Sequence, residues 1–396
     1  MTAADLRRRF LALAVLQWLP GATFFPVLVL LMRERGHSVG QIGVMFAVFA
    51  AVVLLLELPS GSAADVYGRR RVLLLSAAVT CAACLLLAVA ETMVPFTAGL
   101  VLVAIGRAAG SGVLESWYVD TLGEADPGAA FEPGLARGRA AGALSLAGGA
   151  LIGGFFPAVS GSLAGPVWLA AGFAAVLTVA VATVMTGSGR APASGVGATL
   201  RSALRASVRD TLLLRVLLCA FGGGVAATVL EALWPLRAAA STGDPRTSAM
   251  AYGVVLCAAF AAGAGGTVAA PTGPRFTRPN GIALFMILVA LCYAAMAFVT
   301  HIIAFVVLFL AIQWLSAVAD LLSALVLHRR ATPEQRVTVA SVDSLAAQIG
   351  GICGSSLLLG AGSYDQFAVW VTTSAAVLLI ALAILTRDRA PAAERN

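Results

Sequence analysis

The chain has 396 residues, 60% of them hydrophobic and 11% charged, with a formal net charge of +7 and a mean hydropathy of +0.94. Soluble domains run about half apolar and about a quarter charged, so a water-soluble globule is excluded and lipid must solvate most of the chain. All 26 basic residues are arginine; scattered over short loops, they point away from a nucleic-acid partner.

A helix needs roughly 20 mostly apolar residues to cross the hydrocarbon of a bilayer. Taken in order, the apolar runs predict twelve spans: 10–32, 40–63, 72–90, 95–119, 139–159, 166–186, 212–236, 250–270, 280–299, 302–327, 337–360 and 366–386. The weak alternation argues against a membrane β-barrel, whose strands read apolar-out and polar-in. The predicted class is therefore an all-α polytopic membrane protein.

The first span follows Arg7-Arg8-Arg9, a pattern shared with twin-arginine export signals. The apolar run continues to Met32, too long for a signal core, so the arginines read as the inner anchor of a span. With the N-terminus inside, 21 arginines fall on the inner side, counting Arg215 at the inner end of the seventh span, and four (Arg33, Arg35, Arg237, Arg246) outside, while Arg107 lies within the fourth span. This is a strong positive-inside pattern and predicts both termini in the cytoplasm. Cys81, Cys84, Cys219, Cys257, Cys292 and Cys353 all lie in spans and read as small apolar residues, with no disulfide framework. His37 and His328 are loop residues and His301 stands at a span edge, so no metal site is indicated.

Six spans precede a polar stretch and six follow it. The predicted organisation is an N-terminal six-helix bundle (1–187), a linker (188–211) and a C-terminal six-helix bundle (212–396). The linker opens rich in Gly, Pro and Ser and ends in a basic amphipathic helix, in which Arg201, Arg205 and Arg209 recur every fourth residue. Such a helix lies on an anionic leaflet. The halves echo each other. Gly61, Asp65, Gly68 and Arg70 match Gly266, Ala270, Gly273 and Arg275 at an offset of 205. Arg139 with Gly153-Gly154 matches Arg336 with Gly350-Gly351 at an offset of 197. Internal repeats of this kind characterise secondary transporters, whose site lies near the midplane.

Ionisable residues inside spans are costly, about 2.5–3.5 kcal/mol each at a helix centre on insertion scales, which makes each a functional candidate. They are Glu57, Arg107, Glu115, Asp120, Glu231, Asp320 and Asp343. At 1.5 Å per residue, Asp120 falls level with Asp65 and Arg69 at the cytoplasmic end and reads as their partner. Glu57 and Glu115 lie deeper and form a possible carboxylate pair sharing one proton. Asp320 and Asp343 form a second such pair. The competing reading for each acid is a structural pair inside the bundle.

The segment Gly61-Ser-Ala-Ala-Asp65-Val-Tyr-Gly68-Arg69-Arg70-Arg71 resembles the loop between helices 2 and 3 of major facilitator superfamily transporters. Glu57-Leu-Pro59-Ser-Gly61, Ser111-Gly112-Val-Leu-Glu115-Ser-Trp117-Tyr-Val-Asp120 and Leu327-His-Arg-Arg-Ala-Thr-Pro333-Glu-Gln-Arg336 are similar to segments of its drug-exporter-like members. The resemblance implies a cytoplasmic latch made by Gly61, Asp65, Gly68, Arg69, Arg70 and Asp120. It also implies a cavity lined by spans 1, 4, 7 and 10. Arg107, Glu115, Glu231 and Asp320 are then pathway groups, joined by Glu57 and Asp343 as proton-coupling candidates. Gln17, Trp18, Trp234, Gln313 and Trp314 are polar and aromatic contacts. A monomer in a bacterial-type cytoplasmic membrane follows from the same resemblance.

Three departures stand out. Ala270 replaces the latch aspartate in the second half, so Asp65→Asn is expected to impair transport far more than a change at Ala270. The fifth span carries Gly148-Gly149-Ala-Leu-Ile-Gly153-Gly154 without the proline of the antiporter signature, and Gly110 follows Arg107 at +3 rather than +4. The resulting expectation is export of a hydrophobic or natural-product-like small molecule driven by protons. An importer or uniporter of a small polar or anionic metabolite, and a transporter-like sensor without flux, are the alternatives. No phosphate-cradling loop or catalytic triad spacing suggests an enzyme, and no cofactor is expected.

Overall fold

In the computed structural model, described for residues 2–126, 131–185, 211–242, 244–270, 279–330, 336–359 and 366–386, all regular structure among the described residues is helical. Thirteen helices occur there: α1 (Ala3–Glu34), α2 (Val39–Tyr67), α3 (Arg69–Val89), α4 (Met93–Gly110), α5 (Val113–Ala125), α6 (Glu132–Ser160), α7 (Gly165–Val184), α8 (Thr211–Thr242), α9 (Pro245–Ala269), α10 (Pro279–Phe298), α11 (Ile302–Arg330), α12 (Arg336–Leu359) and α13 (Gln366–Thr386). Eleven stretches among them are long and apolar enough to cross a membrane, α4 and α5 together making one. The twelfth expected span falls on α12. The chain is an all-α polytopic membrane protein.

The helices overshoot the apolar runs because polar residues at their ends still continue the backbone ladder. Thr2 caps α1 by accepting the Asp5 N–H at 3.2 Å, eight residues ahead of Phe10, where the predicted span begins. The segment from Gly61 to Arg71 is expected as a turn of several residues. Instead α2 runs to Tyr67, α3 begins at Arg69, and Gly68 alone makes the reversal at φ +90°. Only glycine adopts that backbone without a Cβ clash. The fourth span is expected to be continuous. It breaks at Ser111-Gly112, with Gly112 at φ +69° capping α5.

Packing groups the chain into two compact units, Met1–Val196 with Trp234–Phe260, and Gly197–Leu233 with Ala261–Asn396. The division passes through α8 and α9 as well as the linker. The linker's basic helix, residues 201–209, lies outside the described residues.

In the first unit α1 packs chiefly on α6 and α7, and α3 on α4 and α7. Helices in lipid gain little from burying apolar surface against each other and rely on close backbone approach at small residues. Glycines of α6 provide it. A Cβ on Gly149 would stand 2.4 Å from that of Ala22, and one on Gly153 1.9 Å from the Thr23 carbonyl oxygen. Ala150 and Gly154 of α6 meet Ala249 and Gly253 of α9 backbone to backbone within the same unit. The second unit repeats the device. A Cβ on Gly350 of α12 would lie 2.0 Å from the Phe221 carbonyl oxygen of α8. Thr23 and Phe221 are 198 positions apart, against the 197 separating Gly153 and Gly350, so the sequence echo corresponds to the same helix contact made twice.

Candidate functional site

Glycines Gly134, Gly138 and Gly142 recur every fourth residue on one face of α6, and aromatic rings rest in the space they leave. A Cβ on Gly138 would come 2.4 Å from the Phe10 ring, and one on Gly142 2.8 Å from the Trp18 indole. Phe10 in turn stacks on Tyr118 of α5, with ring centroids 4.3 Å apart. Between α1, α5 and α6 this leaves a cavity of about 320 Å3. Its lining is Phe10, Ala14, Gln17, Trp18, Leu114, Glu115, Gly138, Arg139, Gly142, Ala143 and Leu146.

The cavity is mostly apolar with three polar groups. Gln17 Nε2 donates to the Gly110 carbonyl at 3.1 Å, where the α4–α5 break interrupts the helix ladder. Non-helical backbone at membrane depth is tolerated where it is buried in protein or lines an open cavity. Glu115, one turn into α5, accepts from Arg139 Nε of α6 at 3.5 Å; both side chains stay partly exposed, at 43% and 73%. The site thus holds one acid and one base of opposite sign, beside a half-exposed Trp18.

At the end of the first unit that carries Arg9, the Arg69 guanidinium of α3 pairs with the Asp120 carboxylate of α5 and also donates to the Ser116 carbonyl. Arg70 Nη2 donates to the Ala182 carbonyl at 2.5 Å and Arg9 Nη1 to that of Val184 at 3.1 Å. Both guanidinium groups thereby reach the open carbonyls at the C-terminus of α7, where positive charge is favoured. At the opposite end Arg35 donates to Leu87, Ala88 and Ala90 at the end of α3 and lies 5.5 Å from the Phe96 ring centroid.

Several predicted residues lie elsewhere. Glu57, Gly61 and Asp65 are on α2, but their side chains are outside the described part of the structure. Arg107 is exposed on α4, over the Phe49 ring at 5.9 Å. Trp234 is 1% exposed and packs at 6.0 Å from Tyr252 inside the first unit. Trp314 packs against α9, where a Cβ on Gly266 would lie 2.5 Å from its carbonyl oxygen; Gln313 is half-buried beside it. The glycine of the second motif thus has a helix-packing role. Asp320 of α11 and Asp343 of α12 are electrostatic neighbours, and Cys219 of α8 is within electrostatic reach of both. Glu231 is exposed on α8, in electrostatic reach of Tyr293.

Of the residues singled out from the sequence, Gln17, Trp18 and Glu115 line this cavity. Sequence reasoning did not single out Arg139, read only as an inner-side charge and a landmark of the repeat, or Phe10, read only as apolar. The signal that points to both was the fourfold glycine spacing from Gly134 to Gly142, which marks a face where a neighbouring helix lays large side chains.

A polytopic helical bundle with a small cavity, a broken helix and an ion pair at that cavity fits a membrane transporter. The Major Facilitator Superfamily profile matches residues 10–355, and the chain belongs to that superfamily. No curated relative matches the sequence. Among solved structures, the nucleoside transporter NupG superposes with a TM-score of 0.80 at 12% identity, covering 98% of this chain and 100% of that one. An auto-inhibited POT family peptide transporter gives 0.77 at 13% identity, covering 99% and 98%. A bacterial homologue of the human lysosomal transporter Spinster, inward-facing and occupied, gives 0.72 at 12%, covering 98% and 97%. At such identities the likeness is one of fold.

Proposed function

We propose that this secondary transporter exports a hydrophobic, natural-product-like compound against proton entry, with the cavity between α1, α5 and α6 as its substrate site. The observation that carries the proposal is the Glu115–Arg139 pair on a mostly apolar wall that includes Trp18. Protonating Glu115 removes the charge that holds Arg139, so proton and substrate compete for the same groups. Competition of this kind couples two fluxes, because each ligand shifts the population that binds the other. Asp320 and Asp343 offer a second place for a proton. Arg69 and Asp120, with Asp65 and the glycines Gly61 and Gly68, serve as the cytoplasmic latch, and the protein works as a monomer in the cytoplasmic membrane.

Inverted membrane vesicles test this. Hydrophobic compounds are expected to accumulate when a proton gradient is imposed, and a protonophore is expected to abolish the accumulation. Glu115→Gln is expected to lose the dependence on the gradient while still folding. Equal movement with and without the gradient removes proton coupling.

The exposed Arg107 beside the helix break favours a second reading, uptake of an anionic metabolite bound through its guanidinium. Arg107→Ala with unchanged affinity for a transported anion eliminates it.

A further inference from the structure

The polar groups of the cavity sum to no net charge. We infer that it takes a planar, uncharged heteroaromatic molecule of one or two fused rings that carries a hydrogen-bond donor and an acceptor side by side on one edge, as a lactam does. The inference rests on the reading of this cavity as the substrate site.

The walls select a flat ring. Trp18 abuts Gly142 through its Cδ1–Nε1 edge, is half-exposed and lines the cavity. Phe10 is backed by the stacked Tyr118. Phe10 is itself buried, so Trp18 is the aromatic surface open to a ligand, and a rigid indole binds another ring with little loss of side-chain freedom. The cavity, about 320 Å3, lies at the small end of ligand sites.

The edge selects the polarity. Arg139 meets Glu115 through Nε alone at 3.5 Å, so its two terminal nitrogens and the second carboxylate oxygen remain for a ligand. An ion pair this long and this exposed is weak, and each partner can turn to a ligand without a large loss. Glu115 then accepts the N–H of the ligand edge and Arg139 donates to its carbonyl. A cation would face Arg139 and an anion Glu115. A purely apolar ring would gain nothing from either group and would displace part of their water.

Four probes on one bicyclic frame separate these cases in purified protein: quinolin-2-one (lactam), N-methylquinolinium (cation), quinoline-2-carboxylate (anion) and naphthalene (apolar). Titration calorimetry is expected to give the lactam an affinity about tenfold or more above each of the others. Trp18→Ala and Arg139→Gln are each expected to weaken the lactam roughly tenfold. Trp168→Ala, which alters a half-exposed tryptophan of α7 away from the cavity, is expected to leave it unchanged; cooperative thermal unfolding verifies that each variant folds. The inference is overturned if the charged or apolar probes bind as well as the lactam, if no probe binds the folded protein, or if Trp18→Ala has no effect. Selective lactam binding without gradient-driven flux keeps the site chemistry and removes the export reading. Flux of other compounds without lactam selectivity does the reverse.

Discussion

Single side chains at the two ends of the first unit carry different weights. In the Arg69–Asp120 pair the arginine is 11% exposed and the aspartate 42%. Half-exposed ion pairs contribute little, so Asp120→Asn is expected to lower stability by only about 1 kcal/mol in detergent melts. A latch role predicts a larger loss of transport than of stability, and a proportionate loss of both argues for a structural pair. At the other end His37 is buried edge-on to Phe96, with Arg33 bonded to its carbonyl and Arg35, itself near Glu91, beside it. Burial, and then the Arg35 charge, hold the imidazole below its ordinary value. The unfolded chain therefore binds this proton more readily than the folded one, and stability falls as pH drops through about 6.5, the unfolded value. His37→Gln is expected to flatten the decline in melting temperature between about pH 7.5 and about 5.5. An unchanged decline places the acid sensitivity elsewhere.

At the scale of helices, close approach and one break shape the site. Gly112 at φ +69° is the residue on which α5 turns away from α4. Gly112→Ala is expected to cost about 1–2 kcal/mol from backbone strain alone, since nothing crowds a Cβ there. Gly138→Leu is expected to push Phe10 into the cavity, with an overpacking cost of about 1–3 kcal/mol and a larger loss of ligand affinity. Melting curves and probe titrations on the same samples check both. Neither feature follows from hydropathy. A Ser-Gly pair leaves an apolar run continuous by composition, so the fourth span read as one helix. The α6 glycines read only as small residues, because a sequence does not show which neighbouring helix leans on them. Glu115 and Trp18 were legible for a different reason: an acid or a polar-edged ring is costly in lipid wherever it packs, so its presence in a span is itself a signal. Trp234 carried the same signal and is packed against Tyr252, which shows that the cost can be met inside a bundle.

For the whole molecule, the twelve predicted spans all fall on helices, because the bilayer imposes length and apolarity on each independently. The repeat was legible as well, and its physical content is the matching of Gly153 on Thr23 with Gly350 on Phe221. The substrate was not legible, since it depends on which side chains from α1, α5 and α6 meet, and no spacing along one helix encodes that meeting. The central claim is that those three helices enclose the transport site. Ala143 lines the cavity, so Ala143→Cys, on a chain whose six native cysteines are replaced, gives a direct probe. Modification with a bulky maleimide is expected to stop gradient-driven flux, and quinolin-2-one is expected to slow the modification. A fully modified protein that transports at the unmodified rate contradicts the account.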